Sequence, residues 1–236
     1  MKKFYLAASL TVLAAMTPMT AHAGDKEVSF SASLDLVSDY VFRGVSFAGA
    51  ALQPGIEAAY GDLTVGAWYS TEIEDTTFAA GDELDLYASY GFELSDSVSA
   101  SIGGTYYHYP SGGGLFSTDG GNAGSYEVSA GLSFDRPLEP SVTAHYDFTL
   151  KTVTAEGSIG HSYDLGNALS LDLGLTAGLV DGDGFSYEYG GASAALSYGF
   201  TDDVSAYIGG NFALSSEDSL NYKKILTTGG KDNLLF

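Results

Sequence analysis

The sequence predicts an all-β chain that closes into an antiparallel transmembrane β-barrel of about twelve strands. Three observations predict it. Apolar and polar residues alternate with a period of two through most of the chain, with no helical period. The alternating runs are near the 9–11 residues that a tilted strand needs to cross hydrocarbon. The connections between them fall into a short set and a longer set, the asymmetry expected of outer-membrane barrels.

The first residues are set apart from this pattern. Lys2 and Lys3 form a positive start, Phe4 to Ala15 is a short apolar run, and Ala21-His22-Ala23 offers small residues for cleavage. These are the parts of a secretory signal in order. The apolar run is too short for a helical anchor, which needs about 20 residues. Residues 1–23 are therefore expected to be a removable signal peptide, and residues 24–236 the barrel domain. The expected location is the outer membrane of a Gram-negative bacterium.

The strands follow in order. Val28, Phe30, Ala32, Leu34 and Leu36 oppose Ser29, Ser31, Ser33 and Asp35. Runs near 52–60 and 62–72 come next. Leu84, Leu86, Ala88, Tyr90, Phe92 and Leu94 oppose Asp85, Tyr87, Ser89, Gly91 and Glu93. Further runs lie near 97–109, 124–134, 140–149 and 152–165. The clearest is Leu169 to Leu179, with leucines and Ala177 on one face and Ser170, Asp172, Gly174, Thr176 and Gly178 on the other. Runs at 186–199 and 204–214 make about eleven. A twelfth would have to come from the poorly patterned stretch after Ser216.

With strand one running outward, the short connections at 61–62, 94–97, 135–139, 166–167 and 201–203 are periplasmic. The longer ones at 73–81 and 110–123 face out, although those at 150–151 and 181–184 are short too. Tyr106, Tyr107, Tyr109, Tyr187 and Tyr189 at outer strand ends, and Phe134, Tyr163 and Phe200 beside inner turns, are read as two interfacial girdles.

Composition narrows function. The formal net charge is −21, and it becomes two units more negative once Lys2 and Lys3 are gone. Such a chain is repelled by nucleic acid phosphates. Yet 17 Tyr, 13 Phe and 45% hydrophobic residues are too many for an acidic disordered chain. The absence of cysteine removes thiol catalysis and thiolate metal sites. A soluble sandwich would carry charges of both signs on its outer face. Here lysine is almost absent from the runs, and a sheet in lipid must close to satisfy its backbone.

The segment Ser38-Asp39-Tyr40-Val41-Phe42-Arg43-Gly44 resembles a stretch of the TorF-type porin family, also called the Gcw_chp domain family. Gly103-Gly104-Thr105-Tyr106-Tyr107-His108-Tyr109-Pro110 is similar to that family's G-x-x-Y-Y-x-Y-P segment, and Tyr126-Glu127-Val128 with Ala130-Gly131-Leu132 fits its next strand. The resemblance implies an outer-membrane location and a channel role. It implies no catalytic residue.

By alternation from Leu34 and Leu36, residues Asp35, Asp39 and Arg43 face the lumen. Two roles are open for Arg43. It orders permeating ions at a constriction, or it fixes the barrel through a salt bridge to Asp39 or a cross-strand carboxylate. The same face is expected to carry Asp85, Glu93, Glu127, Asp147, Glu156 and Asp172, nine pore-lining candidates in all. Few cations oppose them, so an open pore would prefer cations.

Asp181-Gly182-Asp183-Gly184 has hard oxygens on a flexible turn but lacks the rest of a calcium loop, so a hairpin turn is the simpler reading. His108, His145 and His161 are isolated, and only His145 is expected to point inward; no metal site and no cofactor follow. No G-x-S-x-G, P-loop or dinucleotide fingerprint occurs, so no enzyme is expected. The function expected is passive diffusion of small hydrophilic solutes or cations, with membrane lipid as the other partner. The alternative is a structural or adhesive barrel with a plugged lumen.

Overall fold

A computed structural model describes residues 5–15, 28–73, 82–117 and 124–217. Among them fourteen strands are found: β1 (Tyr5–Ala15), β2 (Val28–Val37), β3 (Tyr40–Phe42), β4 (Val45–Ala48), β5 (Ala51–Tyr60), β6 (Leu63–Glu72), β7 (Glu83–Ser95), β8 (Val98–His108), β9 (Gly124–Phe134), β10 (Ser141–Asp147), β11 (Thr152–Gly166), β12 (Leu169–Gly182), β13 (Phe185–Gly199) and β14 (Ser205–Ser215). Twelve of them form one closed barrel, each antiparallel to its neighbours, in the ring order β1-β14-β13-β12-β11-β10-β9-β8-β7-β6-β5-β2. The remaining two, β3 and β4, pair only with each other.

The period-2 pattern sets the faces. Phe30, Ile56, Val65, Ile102, Val128, Val142, Leu175, Leu196 and Ile208 are all exposed on the outside. Turned inward in a soluble sheet these side chains would have made a core; here the outer wall is the apolar face, as lipid requires. Cross-strand partners keep that face in register, Leu175 opposite Ile159 and Ala192, and Ile208 opposite Leu196. Near the short turns, Tyr163 packs edge-on to His161, and Tyr198 to Phe200. At the other end Tyr146 meets Phe148, and Tyr106 meets Tyr126. Two aromatic belts on the outside result.

The outer belt differs from expectation in membership. Tyr109, Tyr187 and Tyr189 are buried inside the barrel, and Tyr107 points inward with them onto Glu127. Strand parity decides this: Tyr106 is opposite Tyr126 on the lipid face, so Tyr107 must face the lumen.

The closing strand also differs. The twelfth position is taken by Tyr5–Ala15, the apolar run read as part of a signal peptide. It pairs along its whole length with β14, from Tyr5 opposite Ser215 to Ala15 opposite Ser205. Its seam with β2 is shorter, covering only Thr11–Ala15 against Val37–Ser33. The stretch after Ser216 that was to supply this strand lies, from residue 218 on, outside the described residues.

Candidate functional site: a hairpin inside the barrel

The stretch Tyr40–Ala48 does not continue the wall. β2 ends at Val37, and the chain turns back into the lumen as the β3–β4 hairpin before rejoining the wall at Ala51. Its two-residue loop is Arg43-Gly44, with φ of 46° and 76°. A two-residue hairpin of this kind needs positive φ at both central residues, which glycine supplies freely and arginine only at a cost. Gly44 is also a close approach: a Cβ there would lie 2.6 Å from Tyr189 Cβ and 3.3 Å from Ser215 Cβ.

Aromatic residues pin the hairpin on one side. Tyr40 packs against Phe47 and Trp68, each at 5.4 Å between ring centroids, and Phe42 meets Tyr107 at 6.2 Å. Ser46, Phe47 and Ala48 are all buried. On the far side Val45 packs on the cluster of Val180, Tyr187 and Tyr189. The hairpin thus spans the lumen from β6 and β8 to β12 and β13.

Arg43 fixes its tip. The guanidinium Nη1 donates to Glu127 Oε2 at 2.6 Å and Nη2 to Oε1 at 3.0 Å. Tyr107 donates to the same carboxylate at 3.1 Å, and His145 Nδ1 lies 3.0 Å from it. A bidentate, charge-assisted pair is the strong form of this contact. Of the two roles the sequence leaves open, this contact is the salt bridge, made to a carboxylate across the lumen rather than to Asp39. Arg43 reaches the interior through the hairpin turn; strand alternation does not extend that far.

The other candidates are spread along the wall. Asp35 accepts from Tyr207 at 2.9 Å. Glu156 accepts from Tyr189 at 2.6 Å, and Asp172 from Ser197 at 2.7 Å. Asp147 is occupied locally, its Oδ1 accepting the backbone N–H of Thr149 and Leu150 at 2.8 and 2.7 Å. Asp85 lies beside Glu83. Asp39 is half-buried next to Ser38 in the connection to the hairpin. Glu93 sits exposed near the short turns, away from the rest. Only Arg43 and Glu127 among the nine touch directly.

Alternation could not single out the hairpin aromatics, nor Glu57 and Glu83. Tyr87 donates to Glu57 at 3.2 Å, and Tyr109 to Glu83 at 3.1 Å. Tyr87 lies over Gly66 and Tyr189 over Gly178, where an added Cβ would fall 2.3 Å from either ring. Each glycine on one strand makes room for a tyrosine on the next, a pairing that the Gly/Tyr-rich inner face signals only in hindsight.

Two of the cavities among the described residues border the hairpin. One, of about 440 Å³, is bordered by Asp35, Asp39, Arg43, Glu156, Tyr207 and Asn211. The other, of about 380 Å³, is walled by Phe42, Phe47, Tyr107, Tyr187, Glu127 and Asp147. No lysine or arginine lies in strands β2–β14, so Arg43 is the only such cation reaching the lumen among the described residues.

Residues 21–183 match the sequence model of a family described as "Bacterial protein of unknown function (Gcw_chp)". The chain belongs to the Gcw_chp family. The SDYVFRG segment, which supplies the first strand and the turn of the inner hairpin, and the GGTYYHYP segment, which carries Tyr107, both lie within the matched span. No curated protein matches the chain. Among solved structures it is similar to a loop-deletion mutant of OmpT, an outer membrane protein of Vibrio cholerae, with 8% identity, TM-score 0.32, and coverage of 90% of this chain and 99% of that one. It is similar to Salmonella typhi OmpF in complex with daunomycin, with 9% identity, TM-score 0.35, and coverage of 88% and 97%. It is also similar to Pseudomonas aeruginosa OprD, with 9% identity, TM-score 0.32, and coverage of 89% and 94%. Overlaps this loose say nothing of solute or site. The Gcw_chp barrel is established by its own strand pairing.

Proposed function

We propose that the protein is a porin-like barrel of the outer membrane, narrowed by its inner hairpin, through which small hydrophilic solutes pass passively and cations pass more readily than anions. The TorF-type porin label suggested by the SDYVFRG segment belongs to this reading. So does export: residues 1–23 act as a signal that is removed.

One observation carries the reading. Arg43, the only lysine or arginine in the described lumen, is spent on Glu127, while Asp35, Glu156 and Asp172 are hydrogen-bonded only by neutral hydroxyls. A corridor lined by carboxylates without fixed counter-charge lowers the energy of cations and raises that of anions. The polar cavity beside the hairpin, bordered by Asp35 and Glu156, supplies room for it. A second reading, the plugged barrel, is favoured by the burial of Ser46, Phe47 and Ala48.

Planar-bilayer recording of protein purified from outer membranes tests both. The expected result is small conductance steps with a cation-selective reversal potential, and larger steps when residues 40–48 are replaced by a Gly/Ser linker. Silence from both proteins rejects a channel. Silence that the linker variant relieves supports the plugged barrel. Anion selectivity rejects the carboxylate argument.

A further inference from the structure

The cavity of about 380 Å³ is walled mainly by rings and branched side chains. Phe42, Val45 and Phe47 close it from the hairpin, and Val180, Phe185 and Tyr187 close it from β12 and β13. It lies at the end of the barrel away from the short turns, beside the last residues of β8, β10 and β12. Small-molecule pockets measure about 300–1,000 Å³ and are mostly apolar, with a few placed polar groups that fix orientation. An apolar cavity of about 150 Å³ already admits benzene, so this one has room for one or two fused rings.

Most polar groups in its wall already have partners. Glu127 holds Arg43 and Tyr107, and Asp147 accepts the backbone N–H of Thr149 and Leu150. Three hydroxyls do not. Thr152, Thr154 and Tyr187 are all buried and line the cavity, yet no side-chain hydrogen bond reaches their hydroxyls among the described residues. Cross-strand register gathers them. Thr154 on β11 lies opposite Val180 on β12, which lies opposite Tyr187 on β13. Thr152 is two residues from Thr154, on the same face. Buried hydroxyls without partners are costly and call for a group that supplies them. Water can bond to the hydroxyls but gains nothing from the rings, whereas an apolar ring leaves water for them favourably.

We propose that this cavity binds a small neutral aromatic molecule bearing a hydroxyl group, of the phenol class, with its ring among Phe42, Phe47 and Phe185 and its hydroxyl on Thr152, Thr154 and Tyr187. The wall decides against a charged ligand of either sign. Arg43 and Glu127 already neutralise each other, and Asp147 is bonded within its own turn. A carboxylate or an ammonium group would lose its hydration here and meet no free counter-charge. A neutral hydroxyl both donates and accepts, as do the three hydroxyls that it meets. The site goes beyond the reading of a cation-attracting corridor and does not require the pore to be open.

The test uses β-naphthol as the probe, titrated calorimetrically into protein purified from outer membranes and held in lipid nanodiscs, with empty nanodiscs as the blank. Wild-type protein is expected to give saturable heat above the blank. The charged counterparts β-naphthoate and β-naphthylmethylamine are expected to bind at least about tenfold more weakly. Thr152→Val/Thr154→Val keeps the shape of the wall and removes two unpaired hydroxyls. It is expected to withstand urea at least as well as wild type and to bind β-naphthol about three- to tenfold more weakly. Val180→Phe, which fills the cavity from β12, is expected to abolish saturable binding. The proposal is overturned if nanodiscs with and without the barrel take up the probe alike, as when water alone fills the cavity. It is equally overturned if the threonine variant binds like wild type, which would place the probe elsewhere, or if either charged counterpart binds as tightly as β-naphthol. Conductance plays no part in this readout, so a silent bilayer leaves it standing.

Discussion

Replacing Arg43 by alanine is expected to loosen the hairpin before it unfolds the barrel. Glu127 is 7% exposed. Removing one partner of a buried ion pair costs about 3–5 kcal/mol, because the remaining charge stays buried and uncompensated. Tyr107 and His145 still lie 3.1 and 3.0 Å from the carboxylate, so the low end applies, about 3 kcal/mol. That is a shift of roughly a hundredfold in the docking equilibrium of the hairpin. Burial of Phe47 opposes release by about 1.5–3 kcal/mol, so the hairpin becomes mobile rather than lost. Trp68, the only tryptophan, reports on it directly, since its ring sits edge-on to Tyr40 of the hairpin. In lipid vesicles titrated with urea, Arg43→Ala should show an early red shift of Trp68 emission followed by the main barrel transition. Adding Glu127→Gln to make the double variant should recover most of the loss, because no bare carboxylate is then left. The reasoning is refuted if the double variant is as unstable as Arg43→Ala, or if the single change costs less than about 1 kcal/mol, the range of exposed pairs.

Other outcomes follow from the same geometry. Gly44→Val should block docking, since its Cβ would meet Tyr189 and its φ of 76° penalises a branched residue; Trp68 emission and gel-shift folding assays will show it. Gly178→Val should displace the Tyr189 ring from Glu156 and lower stability by about 1–3 kcal/mol, measured by urea unfolding. Leu175→Arg, in the middle of the outer face of β12, should cost about 2–4 kcal/mol in a bilayer; a milder loss when the same change is made near a turn, at Leu165, would confirm depth dependence. Asp35→Asn combined with Glu156→Gln should reduce cation preference in reversal-potential measurements while leaving the hairpin ion pair intact.

The wall of the barrel was legible because a period of two is a local property. Leu169 to Leu179 names its own lipid face, and Leu84 to Leu94 does the same. The hairpin was not legible, because Ser38 to Gly44 also alternates and so reads as a longer first strand. Only the non-local fit of Tyr40 on Trp68 and of Arg43 on Glu127, 84 residues away, shows that the chain has turned inward. Charge alone pointed to a carboxylate partner for Arg43, but which one depends on how far across the lumen a hairpin can reach. The girdle reading of Tyr107, Tyr109, Tyr187 and Tyr189 failed for a related reason: clustering near strand ends was weighed above parity, and parity places these side chains inside. Glu83 escaped notice because it opens β7, one residue before the alternation begins to count.

The stretch Tyr5–Ala15, which the sequence reads as an address label and the structure places as a stave, cannot serve as both at once. An antiparallel ring closes only on an even number of staves, and without this one eleven remain, with β2 and β14 pointing the same way. A chain that has shed its label on export would face hydrocarbon with two bare margins that cannot lace to each other in an antiparallel register. Closing that ring takes another strand running opposite to both, laced to β14 on one side and to β2 on the other.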